Sequence, residues 1–127
     1  MHPRLRVVEG RFAVCRLAPD EPVPAWAAAG AWWSVTRTAD ELSVVCDETC
    51  LPPDGAPRSE GPFAALAVEG PLDFALTGVL AGLLAPLRDA AVSVFVVSTF
   101  DTDYVLVPAA RVDDAVRALR AAGYDCS

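Results

Sequence analysis

Two strand-like runs near the C-terminal end stand so close together that only one arrangement can join them. Val92 to Val97 and Tyr104 to Val107 are rich in β-branched and aromatic residues, and only Ser98-Thr99-Phe100-Asp101-Thr102-Asp103 separates them. A parallel crossover needs about a dozen residues or more, so the runs are expected to be neighbouring antiparallel strands. Their link concentrates hydroxyls and carboxylates at one end of a hydrophobic hairpin. Such a cluster suits a small polar ligand better than packing alone. Asp101 and Asp103, two apart on an extended link, tend to face the same way and can share a site. The competing reading is a tight turn, because Asp and Thr cap turns routinely.

Upstream, Leu5 to Val8 and Phe12 to Leu17 read as strands joined by the turn pair Glu9-Gly10. Ala18 to Pro24 is a Pro-rich loop leading to a short helix at Ala25 to Ala29, stopped by Gly30. Trp32 to Thr36 and Leu42 to Cys46 are expected strands, and Phe63 to Val68 is another. Asp47 to Pro62, crowded with turn formers, is the expected boundary. Leu76, Val79, Leu80, Leu83, Leu84 and Leu87 recur at the helical period, with Asp73 placed to cap the free N–H groups. Pro86 is expected to bend the last turn or end its bonding. Arg111 to Ala122 reads as a second helix whose buried stripe is Val112, Ala115, Val116 and Leu119. Arg117 and Arg120 sit near its end, the favourable one for positive charge, and Gly123 follows as the stop. Tyr124 to Cys126 supplies a last short strand. From Phe63 onward the order is therefore β-α-β-β-α-β, an α+β arrangement with an antiparallel sheet and helices on one face.

The two halves resemble each other. Gly10-Arg-Phe-Ala-Val opens like Gly61-Pro-Phe-Ala-Ala, and at a constant offset Val35 to Val45 lies on Val97 to Val107. That alignment sets Thr36 on Ser98, Glu41 on Asp103 and Val44 on Leu106. The first copy is shortened, since no long helix follows its opening strand. Residues 1–60 and 61–127 are the two expected units.

Charge and residue inventory exclude whole classes of function. A net charge of −7 opposes a nucleic-acid or anionic-membrane partner. All ten basic residues are arginine, which leaves no Schiff-base or P-loop lysine. The N-terminal residues have no apolar signal-like core, and the apolar run Phe74 to Leu87 is too short to cross a bilayer, so a cytoplasmic protein is expected. Cys46 and Cys50 have a ligand-pair spacing, but there is no second pair and His2 is the only histidine. No metal and no cofactor are expected, and the cysteines are read as small apolar residues. A triad lacks its histidine base, so no catalytic residue is assigned. Trp26, Trp32 and Trp33 are read as core filling or a dimer contact. The main helix's N-terminus favours a carboxylate, while Asp101 or Asp103 favours an ammonium or guanidinium. An amino acid carries both charges.

The run Gly70-Pro-Leu-Asp-Phe-Ala-Leu-Thr-Gly-Val-Leu-Ala, followed by Val92-Ser-Val-Phe-Val-Val-Ser-Thr-Phe-Asp-Thr-Asp-Tyr-Val-Leu-Val-Pro, resembles the ACT-domain family. It is similar to small bacterial stand-alone proteins with two ACT-like units, to cytosolic arginine sensors of animals and, more distantly, to the regulatory ends of aspartokinases. Arg11-Phe-Ala-Val-Cys-Arg-Leu and Trp33-Ser-Val-Thr-Arg-Thr-Ala-Asp-Glu-Leu-Ser-Val-Val resemble the first unit of those bacterial proteins. The resemblance implies tandem ferredoxin-like (βαββαβ) units, a non-catalytic regulatory role, amino-acid binding and homodimers paired by sheet edges. Residue by residue it points to Thr77, Gly78 and Val79 at the helix start and to Thr99, Phe100 and Asp103 on the hairpin. Ser98 and Asp101 join them from the composition of the link. Leu76 stands where the arginine sensors carry an acidic residue, so arginine specificity does not carry over. The alternative is a structural module that pairs with another protein and takes no ligand.

Overall fold

Hydrophobic runs and turn residues give β1 (Leu5–Val7), β2 (Phe12–Leu17), β3 (Ser34–Arg37), β4 (Leu42–Asp47), β5 (Arg58–Val68), α1 (Val79–Asp89), β6 (Phe95–Ser98), β7 (Asp103–Pro108) and α2 (Val112–Ala121) in a computed structural model. Short 3-10 turns occupy Ala25–Ala28, Glu48–Cys50 and Ala109–Arg111. The structure describes residues 2–73 and 77–127. Phe74 and Leu76, from the apolar run and the helical stripe expected there, lie outside the described residues. The fold is α+β, with antiparallel strand pairs. Its contacts define two units, Met1–Glu9 with Phe63–Ser127, and Gly10–Pro62.

In the larger unit β1 pairs with β5, β5 with β7, and β7 with β6. Leu5, Leu66, Val68, Val105 and Val107 point to one face, where Leu83 and Leu87 of α1 and Ala115 and Leu119 of α2 complete a buried core. Leu80, Leu84, Val112 and Val116 pack against its rim, so both helical stripes are used as the periodicity demands. The strand expected at the C-terminus does not join β5. Its backbone meets β1 instead, with a parallel bridge between Leu5 and Cys126 and a 2.8 Å bond from Leu5 N–H to Asp125 O. β1 itself takes the place beside β5.

α1 runs through Pro86 to Asp89, and the Ala90 N–H still reaches the Pro86 carbonyl at 3.1 Å. Pro86 gives up the bond to the Gly82 carbonyl and crowds it, but the bonds that follow are still made. The helix then closes on Ala91, left-handed at φ 58°. Ala91 N–H bonds Arg88 O and Val92 N–H bonds Leu87 O, both at 2.9 Å, the paired bonds of a Schellman motif. Val92 is thereby buried under the helix end, and β6 starts at Phe95 and not at Val92. The Arg111 guanidinium reinforces this end, donating to the carbonyls of Ala90 (3.1 Å) and Ala91 (3.3 Å) while Asp114 holds it at 2.8 Å.

In the smaller unit β4 lies between β2 and β3. Ala13, Cys15, Leu17, Leu42, Val44 and Cys46 share one buried face with Ala27, and Trp26, Val35 and Leu51 pack against it. Trp32 packs edge-on against Phe12 at 5.1 Å, whereas Trp33 is exposed. Cys46 hydrogen-bonds Cys15 through their thiols, and burial pushes its thiol up to about 12. β5 begins at Arg58, inside the stretch expected to be a boundary loop.

The strand registers correct the internal alignment. Arg37 pairs with Leu42 and Val35 with Val44 in one hairpin; Ser98 pairs with Asp103 and Val96 with Val105 in the other. Thr38 N–H bonds Glu41 O and Thr99 N–H bonds Thr102 O. Thr38 thus corresponds to Thr99, Arg37 to Ser98 and Leu42 to Asp103, one residue away from the sequence alignment. A one-residue slip turns each side chain to the opposite face.

Candidate ligand-binding site

A cavity of about 330 Å³ opens where the start of α1 meets the β6–β7 link, wholly within the larger unit. Its walls are Leu72 and Asp73 after β5, Gly78 to Ala81 at the helix start, and Ser98 to Asp103 on the link. The helix start and the link meet within one unit because Ser98 and Asp103 lie on the helix-covered face, in line with Val96 and Val105.

The helix side is a set of backbone donors. Gly78 is the N-cap, left-handed at φ 79°, and as a glycine it offers no side chain of its own to the helix start. Asp73, the expected cap, lies five residues before Gly78, lines the cavity and has a partner of its own. The first intrahelical bond runs from Gly82 N–H to Gly78 O at 2.9 Å. The amides of Val79, Leu80 and Ala81 therefore have no acceptor within the helix, and the helix dipole adds to their positive end. A side chain placed at Gly78 would meet nothing within 4 Å.

The link side carries the carboxylates. Ser98 Oγ donates to Asp103 Oδ1 at 2.6 Å and fixes that carboxylate at the first pair of the hairpin. Thr99 ties the turn: its N–H reaches Thr102 O at 2.7 Å, its hydroxyl reaches the same carbonyl at 3.1 Å, and it accepts from Thr102 N–H at 3.2 Å. Phe100 is 79% exposed at the tip. Asp101 is exposed, and its backbone carbonyl accepts from Leu72 N–H at 2.7 Å. The turn reading and the site reading describe the same segment, since a well-tied turn is what presents the carboxylates.

Of the residues singled out from sequence, Gly78, Val79, Ser98, Thr99, Phe100, Asp101 and Asp103 line the cavity, while Thr77 is exposed and outside the lining. Leu72, Leu80, Ala81 and Thr102 were not anticipated. Thr102 had a signal, being a hydroxyl inside the same polar link. The lining residues include three carboxylates, from Asp73, Asp101 and Asp103, and no basic side chain. The helix start is the element of the wall that favours an anion, and the opposite wall favours a cation.

Residues 58–121 match the model of the ACT domain, and residues 10–54 match a second family model described as an N-terminal domain. No curated protein matches the chain. Among solved structures it is similar to the protein Atu0741 from Agrobacterium tumefaciens, at 34% identity and a TM-score of 0.91, covering 100% of this chain and 93% of that one. It shares its fold with VC0802 from Vibrio cholerae, a protein of unknown function described as a possible transport protein (15% identity, TM-score 0.74, 94% and 88% covered). It also shares its fold with the ligand-free regulatory subunit of aspartate kinase from Thermus thermophilus (14% identity, TM-score 0.67, 97% and 99% covered). Matched by the domain model over half its length and by a relative along all of it, the chain belongs to the ACT-domain family.

Proposed function

We propose that this protein is a non-catalytic regulator that binds a free amino acid in the cavity between the α1 start and the β6–β7 link. One observation carries the reading: helix-start amides that precede the first intrahelical bond and a Ser98-held Asp103 line one cavity. The ligand carboxylate sits on the amides of Val79 to Ala81 and its ammonium beside Asp103, with Asp101 as second acceptor. Thr77, Gly78 and Thr99 shape the two walls, and Phe100 covers the mouth. With three acidic groups around it, the site disfavours aspartate and glutamate. The aspartate kinase regulatory subunits that share the fold support a regulatory role.

The architecture fits this role as two tandem ferredoxin-like units in a cytoplasmic homodimer, a shortened one at Gly10–Pro62 and a fuller one at Phe63–Ser127 that takes Met1–Glu9, which the 1–60 boundary had put in the first unit. A second reading is a ligand-free pairing module. It draws on the exposed Val94 and Phe95 at the start of β6, a strand that ends the observed order, together with Phe100. Isothermal calorimetry and thermal-shift screening against the common amino acids separate the two. A saturable binder whose signal disappears in Asp103→Ala supports the sensor. Silence from every amino acid at millimolar concentration, with a partner protein captured regardless of amino acids, leaves the pairing module.

A further inference from the structure

The side chain of Thr102 reaches out of the hairpin. Its hydroxyl donates to the carbonyl of Val68 at 2.5 Å, across a separation of 34 residues. Val68 is the last residue of β5, one step beyond Ala67, whose partner is Tyr104. The backbone ladder between β5 and β7 has ended there, and a side chain continues it. A second bond crosses the same gap in the opposite sense, from Leu72 N–H to Asp101 O at 2.7 Å. Between the two bonds lies Gly70. A Cβ on it would sit 2.8 Å from Asp101 O and 3.3 Å from Thr102 Cβ, closer to the carbonyl than real Cβ atoms come. The chain needs a glycine here because two backbones touch.

We infer that Thr102 and Gly70 form a clasp that positions the binding wall. It fastens the link, with Asp101 and Asp103, to the segment leaving β5, with Leu72 and Asp73. The inference rests on the amino-acid reading of the cavity and assigns Thr102 a role apart from touching the ligand. Every polar atom of Thr102 is engaged within the protein: N–H to Thr99 Oγ1, carbonyl from Thr99, hydroxyl to Val68. Thr102 therefore acts through the carboxylates on either side of it. Loosening the clasp leaves the charges in place and spoils their spacing, and binding of a small zwitterion is sensitive to such spacing.

The test uses the whole chain and glycine, the smallest molecule bearing both charges. Glycine is titrated into the labelled protein while the amide resonances of Val79 to Ala81 and Thr99 to Asp103 are followed by NMR. Exchange of the Leu72 amide hydrogen is measured in the same samples without glycine. Thr102→Val keeps the side-chain shape and removes the hydroxyl. It is expected to speed Leu72 exchange and to weaken glycine binding about tenfold, the scale of one hydrogen bond, with the thermal midpoint only a few degrees below that of the wild type. Thr102→Ser restores the hydroxyl and both readouts. Gly70→Ala, which pushes the link away, weakens binding at least as much.

Unchanged Leu72 exchange in Thr102→Val overturns the clasp. Faster exchange with undiminished glycine affinity reduces Thr102 to a structural residue and overturns its positioning role. A wild-type protein whose helix-start amides ignore glycine refutes the amino-acid site itself, a failure visible before any variant is made.

Discussion

The β3–β4 and β6–β7 hairpins are the same object with different ends. Both turn on a threonine whose N–H bonds the carbonyl three residues on, Thr38 to Glu41 and Thr99 to Thr102. In both, the last strand pair brackets that turn, Arg37 with Leu42 and Ser98 with Asp103. Leu42 is wholly buried in the smaller unit's core, and Arg37 turns its guanidinium to the carbonyls of Pro19 and Glu21. Asp103 is half-buried, held by Ser98 and facing a cavity that a helix start closes. The frame is generic turn chemistry. Two side chains at the strand ends, and the presence or absence of α1, decide whether a hairpin completes a core or a binding site.

Exchanging those ends should expose the difference. Leu42→Asp gives the first hairpin the second's carboxylate without a partner or a cavity. An unpaired buried charge is expected to cost about 3–5 kcal/mol, readable as a lowered urea midpoint that recovers in part at acid pH. A variant as stable as the wild type would show that the strand end beside Leu42 is already open to water.

Alkaline pH probes the same faces without mutation. Cys46 occupies the position that Val107 takes in the other hairpin. Its folded thiol titrates near 12 against an ordinary 9.0 because burial opposes the thiolate. The unfolded chain therefore ionises first and releases its proton, so native stability falls as pH rises between 9 and 12. The expected slope for this single group is about 1.4 kcal/mol per pH unit in that window. Cys46→Val should reduce the slope to what the buried Cys15, Cys126 and Tyr124 contribute, and equal slopes in both proteins would place the titrating group elsewhere.

The reverse exchange, Asp103→Leu, makes the second hairpin resemble the first. Amino-acid affinity should drop by roughly tenfold to a hundredfold, the range for a hydrogen bond to a charged group. The midpoint should hold or rise, because Leu42 shows that the frame accepts leucine. Calorimetry on the best binder of the screen decides it, and full affinity in Asp103→Leu ends the ammonium assignment. Smaller still is the matched pair Thr38→Val and Thr99→Val. Each should lose about 1 kcal/mol from its tied turn, whereas only the second should weaken ligand binding.

The strands, the helical stripes and the polar link were all legible, since β-branched runs and a 3.6-residue period leave strong local signals. The repeat register was not, and the reason is physical. Val45 and Leu106 are buried although they lie on the face opposite Val44 and Val105. When both faces of a strand are apolar the period-two signal vanishes, and neighbouring valines make offsets one residue apart look alike. The early start of β5 was hidden by exposed, polar Arg58 to Glu60 followed by Gly61-Pro62. For the site, the chemistry was readable and the meeting of its walls was not. The bond from Thr102 to Val68 exists only once β5 and β7 have paired, and no local pattern announces it.

The late start of β6 comes from the closure of α1, which draws Val92 under the helix end, and it leads to the mildest test of what separates the two hairpins, the stability of α1. Both helices of the larger unit close with paired Schellman bonds. α2 uses Gly123 at φ 94°, with Gly123 N–H on Arg120 O and Tyr124 N–H on Leu119 O, both at 3.0 Å. α1 uses Ala91 at φ 58°. A Cβ in the left-handed region costs about 1 kcal/mol that glycine avoids. Ala91→Gly should therefore raise the stability by up to that amount, less the greater freedom that glycine brings to the unfolded chain. Gly123→Ala should lower it comparably. Neither change touches the cavity, so amino-acid affinity should stay at the wild-type value in both. If Ala91→Gly instead loosens ligand binding, the helix end is coupled to the helix start, and α1 contributes more to the second hairpin than a fixed set of amides.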